Sequence, residues 1–189
     1  MKKDIILCGV GGQGILSIAT VIGAAATRSG LYLKQAEVHG MSQRGGDVQS
    51  DLRLSDEPIW SDLIPDGKAD LIISMEPMEA LRYLPRLSRD GVVVTSSKPF
   101  VNIPDYPDFG EVEACLDRLQ KVVRIDIEEA AKQAGNPRGA NMVLLGAAAS
   151  HVGILAPDDL REAVAEVFAP KGQAVVDANI QAFNKGLGI

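Results

Sequence analysis

Cysteine and histidine are scarce in this 189-residue chain. The only two cysteines, Cys8 and Cys115, are too few for a disulfide framework, a Cys-x-x-Cys redox pair or an iron–sulfur site. His39 and His151 lie far apart, and neither has metal-ligand spacing around it. These absences exclude zinc enzymes and cluster-bearing ferredoxins, so we expect no metal site in this chain.

An excess of basic residues is also missing. The 19 Lys and Arg residues are outnumbered by 25 Asp and Glu, which gives a net charge of −6, and no basic cluster stands out. Such a chain is a poor candidate for binding nucleic acid. The longest nearly apolar run, residues 15–26, is shorter than the roughly 20 residues that a membrane span needs. Because Asp4 and several glycines interrupt the start, no signal peptide is expected, and the sequence predicts a cytoplasmic protein without a membrane partner.

Short apolar runs alternate with helical patterns along the chain. This alternation predicts an α/β fold: a Rossmann-like, mostly parallel sheet covered by helices on both faces, with a helical C-terminal third, in a single domain over residues 1–189. Residues 99–107, which contain several prolines, are expected to form a loop or an excursion at the sheet edge. The predicted strands are 5–8, 31–38, a half-exposed strand at 47–54, 69–75, 91–96 and 122–127, and the predicted helices are 14–29, 78–89, 128–133, 141–152, 157–168 and 173–183.

A glycine-rich loop follows the first predicted strand and opens the first helix. The spacing G-x-G-x-x-G favours a tight turn, and the N–H groups at the start of the helix can receive an anion. Three interpretations stay open: tight packing of the helix on the sheet, contact with a phosphate or pantetheine group, and dinucleotide binding. Gln13 is either a ligand for a bound group or partner, or a solvated side chain. The candidate residues are Gly9, Gly11, Gly12, Gln13 and Gly14.

The dinucleotide interpretation also needs an acid near the end of the second strand. Glu37 lies 23 residues after Gly14 and meets that requirement. A stand-alone dinucleotide-binding oxidoreductase is therefore one alternative for the whole chain. A non-enzymatic module that binds coenzyme A or another phosphate-bearing ligand is a second.

A second polar segment joins the second predicted strand to the third. The carboxyl ends of parallel strands meet at one edge of a sheet, so we expect this segment to lie near the glycine loop. The guanidinium of Arg44 is a candidate clamp for an anion or carboxylate, and His39 is a candidate acid, base or hydrogen-bond donor. A solvated surface loop is the alternative. The candidate residues are His39, Ser42, Gln43, Arg44, Gly45 and Gly46.

Four further residues have simpler interpretations. Cys8 and Cys115 are both expected to be buried, unreactive thiols. Trp60, the only tryptophan, is expected either to anchor an interface or to have a core or capping role. Asn141 is expected to cap the start of its helix.

Three segments together resemble a known family. They are GVGGQGILSIATVIGAAA at 9–26, AEVHGMSQRGGDVQSDLRL at 36–54 and NMVLLGA at 141–147. This combination resembles the gamma-type subunits of 2-oxoacid:ferredoxin oxidoreductases, and within that family the indolepyruvate type. The similarity runs over essentially the whole chain.

The resemblance implies a subunit without a catalytic residue of its own. Enzymes of this family oxidatively decarboxylate a 2-oxoacid, transfer the acyl group to the co-substrate coenzyme A and reduce ferredoxin. Thiamine diphosphate, magnesium and 4Fe-4S clusters are expected in a large partner subunit, through which ferredoxin also interacts with the enzyme. The edge formed by 9–14 and 39–46 is expected to face the thiamine site of that subunit, and the role of Glu37 in NAD binding is put in doubt.

Overall fold

Six strands form one sheet in the computed structural model, which describes residues 1–39 and 45–189. The spatial order is β2-β3-β1-β4-β5-β6, and β3 alone runs against its two neighbours. The predicted mostly parallel sheet is therefore confirmed. The strands are β1 (Lys2–Val10), β2 (Tyr32–His39), β3 (Asp47–Ser55), β4 (Ala69–Ser74), β5 (Leu87–Ser96) and β6 (Val122–Ile125).

Seven helices within the described residues cover this sheet, together with two short 3₁₀ turns at Leu84–Arg86 and Ala169–Lys171. One face carries the larger core, built with α1 and α4 to α7, and the other face packs against α2 and the chain that follows β3. None of the helices in the described part of the chain is long and apolar enough to cross a membrane. The helices are α1 (Ile15–Arg28), α2 (Pro77–Arg82), α3 (Phe109–Leu116), α4 (Ile127–Gln133), α5 (Ala140–Val152), α6 (Pro157–Phe168) and α7 (Gln173–Leu187).

The helical C-terminal third is built around α5. This helix is apolar on all sides because it lies between the sheet and α7, and Met142 to Leu145 are fully buried. Gly146 and Gly186 stand where α5 and α7 cross. A Cβ at Gly146 would lie 2.0 Å from the carbonyl oxygen of Phe183, and one at Gly186 would lie 1.9 Å from that of Val143. The crossing therefore has no room for a side chain from either helix.

The prediction that β3 is half-exposed is wrong. Its apolar residues do face the core, but Asp51 is 1% exposed on the opposite face. The reason is tertiary: β3 lies between β2 and β1, and the chain from residue 56 to 68 covers its outer face. Buried carboxylates need partners, and Asp51 is bonded to Arg86, with Nη1 3.0 Å from Oδ1.

Two other sequence expectations are corrected. The helix predicted at 78–89 ends at Arg82, and β5 begins at Leu87, because Pro85 lacks the N–H that would continue the helix. Cys115 is exposed on α3, whose inward side is formed by Val112 and Leu116. The prediction of a second buried thiol is therefore wrong, whereas Cys8 is buried in β1 as expected.

Candidate functional site

A crevice opens at the carboxyl ends of β1 and β4. The helix that follows β1 packs on one face of the sheet, and the helix that follows β4 packs on the other. In open α/β sheets, ligands bind at the carboxyl ends of two neighbouring strands whose following helices lie on opposite faces of the sheet. The crevice is lined by Gln13, Met75, Ser96, Lys98, Pro99, Phe100, Ile127, Glu128 and Ala140.

The glycine loop forms one wall of this crevice. Gly14 precedes α1 with φ of +87°, a left-handed conformation that favours glycine. A Cβ there would lie 2.7 Å from Nδ2 of Asn141, which donates a hydrogen bond to the Gly14 carbonyl at 3.2 Å. Asn141 lies inside the first turn of α5, where Gly139 is the N-cap, so the predicted capping position is wrong. Its Oδ1 still accepts a hydrogen bond from the N–H of Met142 in that first turn, at 3.0 Å.

Gln13 closes the glycine loop on itself. Its Oε1 accepts a hydrogen bond from the backbone N–H of Val10 at 2.7 Å. The backbone N–H of Gln13 donates to the Val10 carbonyl at 3.1 Å. The side chain therefore stabilises the turn, while the first turn of α1 still presents N–H groups with no partner inside the helix. The loop tip at Gly12 is exposed.

The second predicted segment does meet the glycine loop. The N–H of Gly11 donates to the carbonyl of Gly46 at 2.8 Å, and the Gly45 carbonyl accepts from Nδ2 of Asn102 at 2.8 Å. The prediction did not include the strand pairing that brings them together: β3 runs antiparallel beside β1, and its first residue, Asp47, pairs with Val10 at the end of β1. Ser42, Gln43 and Arg44 lie outside the described residues, and the structure describes only the backbone of His39, in β2.

Sequence reasoning missed Glu76, the residue that organises this edge. Its side chain is fully buried and accepts hydrogen bonds from the N–H of Phe100 at 3.2 Å, from the hydroxyl of Tyr106 at 2.5 Å and from the N–H of Glu79 at 2.9 Å. It thus caps α2 and fixes the segment 99–107, which in turn holds Gly45 through Asn102. An acid directly before a proline at the start of a helix was the available signal.

Lys98 was missed as well. It is exposed and contributes the positive charge among the residues that line the crevice. It lies just after the carboxyl end of β5. Because ligand sites lie at the carboxyl ends of parallel strands, the sequence could have predicted Lys98 at this edge.

A second acidic group lies behind the edge, around Glu79. The Tyr83 hydroxyl donates to Oδ2 of Asp47 at 3.0 Å, and Nε of Arg82 lies 2.9 Å from Oε2 of Glu79. Burial, only partly offset by Arg82 and reinforced by Asp47, raises the pKa of Glu79 from 4.5 to about 7. Burial and the negative charge of Asp47 likewise raise the pKa of Tyr83, and burial raises that of Cys8. Cys8 is therefore a neutral thiol at physiological pH.

The raised pKa of Glu79 predicts a pH dependence of stability. Between about pH 4.5 and 7 the native chain binds more protons at this position than the unfolded chain, so the free energy of unfolding falls as the pH rises. We expect this loss to be on the order of 3 kcal/mol. Urea unfolding at several pH values checks it, with Glu79→Gln expected to flatten the profile and Glu113→Gln, an exposed change on α3, expected to leave it unaltered. Parallel profiles for wild type and Glu79→Gln would contradict the assignment.

Comparison with known proteins shows which family this architecture represents. The family model of pyruvate ferredoxin/flavodoxin oxidoreductases matches residues 4–189. This chain belongs to that family. The indolepyruvate oxidoreductase subunit IorB of Methanothermobacter thermautotrophicus is 36% identical over 195 residues, covering 100% of this chain and 97% of the relative. The resemblance predicted from the three sequence segments is confirmed.

Solved structures of the family share the fold. The pyruvate oxidoreductase subunit PORC from Thermotoga maritima has a TM-score of 0.74 at 22% identity, covering 99% of this chain and 96% of that one. The 2-oxoglutarate:ferredoxin oxidoreductase from Magnetococcus marinus, with 2-oxoglutarate, coenzyme A and succinyl-CoA bound, has a TM-score of 0.75 at 22% identity. It covers 99% of this chain, but the chain spans only 30% of its length. The fold of this chain is thus found in both of these structures.

Proposed function

We propose that the chain is the small subunit of an indolepyruvate-type 2-oxoacid:ferredoxin oxidoreductase. The enzyme would decarboxylate an aryl 2-oxoacid oxidatively to an acyl-CoA and reduce ferredoxin, in the cytoplasm. The observation that carries this proposal is the similarity to an indolepyruvate oxidoreductase subunit over 97% of that relative's length. With two cysteines, one of them buried, the chain fits a division in which a large subunit holds thiamine diphosphate, magnesium and the 4Fe-4S clusters.

The edge around the glycine loop is the part of the chain proposed to act. The N–H groups at the start of α1 and the ammonium of Lys98 would attract the phosphates of coenzyme A. His39, Ser42, Gln43 and Arg44, which precede Gly45, would face the thiamine site of the large subunit, with Arg44 as the ionic contact. Closing that site would exclude water from the decarboxylation chemistry that thiamine diphosphate supplies when bound, which is the contribution expected of a subunit without catalytic residues.

The geometry does not favour the stand-alone dinucleotide alternative. In that alternative the acid that binds the ribose ends the strand next to β1. Here β3 lies between β1 and β2, so Glu37 is separated from the glycine loop by a full strand. Glu37 also accepts a hydrogen bond from Nε2 of Gln35 at 2.5 Å. NAD is therefore not part of the proposed function.

Anaerobic reconstitution with the large subunit tests the proposal. Reduction of ferredoxin is measured with indolepyruvate, pyruvate and 2-oxoglutarate, each with and without coenzyme A. We expect turnover only when both subunits and coenzyme A are present, and a kcat/KM for indolepyruvate at least about tenfold above the other two acids. A preference for pyruvate or 2-oxoglutarate would contradict the indolepyruvate assignment. NAD reduction by the isolated chain would contradict the subunit role altogether.

A further inference from the structure

Trp60 is the most exposed large apolar residue in the described part of the chain, with 92% of its surface in contact with solvent. Leu63, three positions on, is 61% exposed. Both belong to residues 56–66, which we call the Trp60 segment. The core alternative for Trp60 is therefore wrong. The segment begins after Ser55, which pairs with Lys2 at the end of β1 opposite the glycine loop, about 26 Å away along the strand.

The Trp60 segment is fixed to the sheet by a buried ion pair. Nη1 of Arg53 donates to the carbonyls of Ser61 and Leu63, each at 3.0 Å. Nε of the same arginine lies 2.9 Å from Oδ1 of Asp4, whose side chain is fully buried. The guanidinium thus connects strand β1 to two backbone carbonyls next to the exposed side chains of Trp60 and Leu63.

A second buried ion pair fixes the far end of the segment. Nη2 of Arg86 donates to the carbonyl of Ile64 at 2.6 Å, and Oδ2 of Asp51 accepts from the Ile64 N–H at 3.1 Å. The Ile64 side chain is itself 3% exposed and packs in the smaller core. Burying two carboxylates is costly in free energy. Here both hold in place a segment that displays a tryptophan to solvent, which is the arrangement expected of a preorganised binding surface.

The charge of the segment indicates what it binds. Asp56, Glu57, Asp62 and Asp66 are all exposed, and no Lys or Arg occurs between residues 54 and 67. Asp56 pairs with the terminal amino group, which leaves three acids around Trp60 and Leu63. Since the chain as a whole carries a net charge of −6, a second copy would be repelled by this surface. A partner with an apolar pocket rimmed by Lys and Arg is complementary to it.

We propose that the Trp60 segment is a docking surface for the large subunit, with the Trp60 indole seated in an apolar pocket that has a basic rim. This inference rests on the proposed function, because it takes the large subunit as the occupant. It adds a contact that is separate from the glycine-loop edge. Tryptophans in fully desolvated central pockets dominate the binding energy of many interfaces, so the loss of this one side chain should weaken the complex strongly.

Titration of the large subunit with wild-type and variant chains tests this docking surface. Trp60→Ala is expected to raise the Kd at least about 30-fold, and Leu63→Ala by about tenfold, while turnover at saturating small subunit stays near the wild-type value. Asp62→Lys should raise the Kd most at low salt. Ile189→Ala, the loss of a comparably exposed residue (65%) outside the segment, is the control and should change the Kd less than about twofold.

A second measurement uses the fact that Trp60 is the only tryptophan in the chain. Chain labelled with 5-fluorotryptophan gives one fluorine resonance, which should shift when the large subunit is added. An unshifted resonance, or a Trp60→Ala chain that binds within about threefold of wild type, would overturn the docking surface and leave the proposed function intact. Weakened self-association in place of weakened binding to the large subunit would also overturn it, in favour of a second copy. If the wild-type chain binds no large subunit, the proposed function fails as well.

Discussion

Replacement of Gly186 by alanine is expected to destabilise the chain by at least about 3 kcal/mol, near or above the upper end of overpacking effects. The new Cβ would lie 1.9 Å from the Val143 carbonyl oxygen and 2.9 Å from the backbone nitrogen of Ala147. Backbone atoms cannot rotate away as a flexible side chain can, so α5 and α7 must separate. Because α5 also packs on the sheet, that movement would disturb the larger core. Urea unfolding followed by circular dichroism measures the change in unfolding free energy.

Gly188→Ala is the matched control for this prediction. Gly188 lies just after α7, has φ of −85°, and its Cβ would meet its nearest neighbour, the Asn184 carbonyl oxygen, at 3.6 Å. That distance is ordinary contact, so the change should be within about 0.5 kcal/mol of wild type. Alanine is the better helix former by up to about 1 kcal/mol, so propensity alone would make Gly186→Ala stabilising. A Gly186→Ala chain as stable as the Gly188→Ala chain would show that the helix crossing is looser than described.

Replacement of Glu76 by alanine is expected to cost about 3 to 5 kcal/mol of stability and to impair the assembled enzyme. The change leaves the N–H groups of Phe100 and Glu79 and the hydroxyl of Tyr106 without their acceptor. The segment 99–107 is then no longer fixed, and neither is the Gly45 carbonyl that Asn102 holds. If the proposed function is correct, displacement of the glycine-loop edge should lower the turnover number of the folded complex with the large subunit at least about tenfold.

The two effects are separated by measuring unfolding of the chain and turnover of complex well below its melting temperature. Glu76→Gln keeps one acceptor oxygen and should fall between wild type and Glu76→Ala in both measurements. Glu113→Ala, an exposed change on α3, is the control and should be neutral. Loss of stability without loss of turnover would mean that the edge around the glycine loop does not act in the reaction.

The positions of most helices and strands in this protein were predictable because they depend on local sequence. Buried parallel strands are short apolar runs, and the helix at Pro157–Phe168 was predicted with its observed bounds from a proline and two acids in its first turn. The glycine loop was predictable for the same reason, since Gly14 needs a left-handed backbone just before a helix. The helix predicted at 78–89 extends beyond the observed one because Pro85 has no N–H to continue the helical hydrogen bonding.

The burial of polar residues was not predictable in the same way. Asp51 and Arg53 alternate with apolar neighbours in β3, which is the pattern of a solvated face. They are covered because β3 lies inside the sheet and the Trp60 segment folds over them, and their partners Arg86 and Asp4 lie 35 and 49 positions away in the sequence. The same limit hid Glu76, whose partners Phe100 and Tyr106 follow it by 24 and 30 positions.

The sequence by itself determined the fold class, the family and the meeting of the glycine loop with Gly45 and Gly46, because each of these depends on runs, spacings or motifs within short segments. Only the tertiary structure decided that Asn141 holds Gly14, that Glu76 fixes the segment 99–107, and that two buried ion pairs display Trp60 to solvent. Those features consist of contacts between residues far apart in the chain. Their energy depends on which groups lose water together, and no local pattern of residues carries that information.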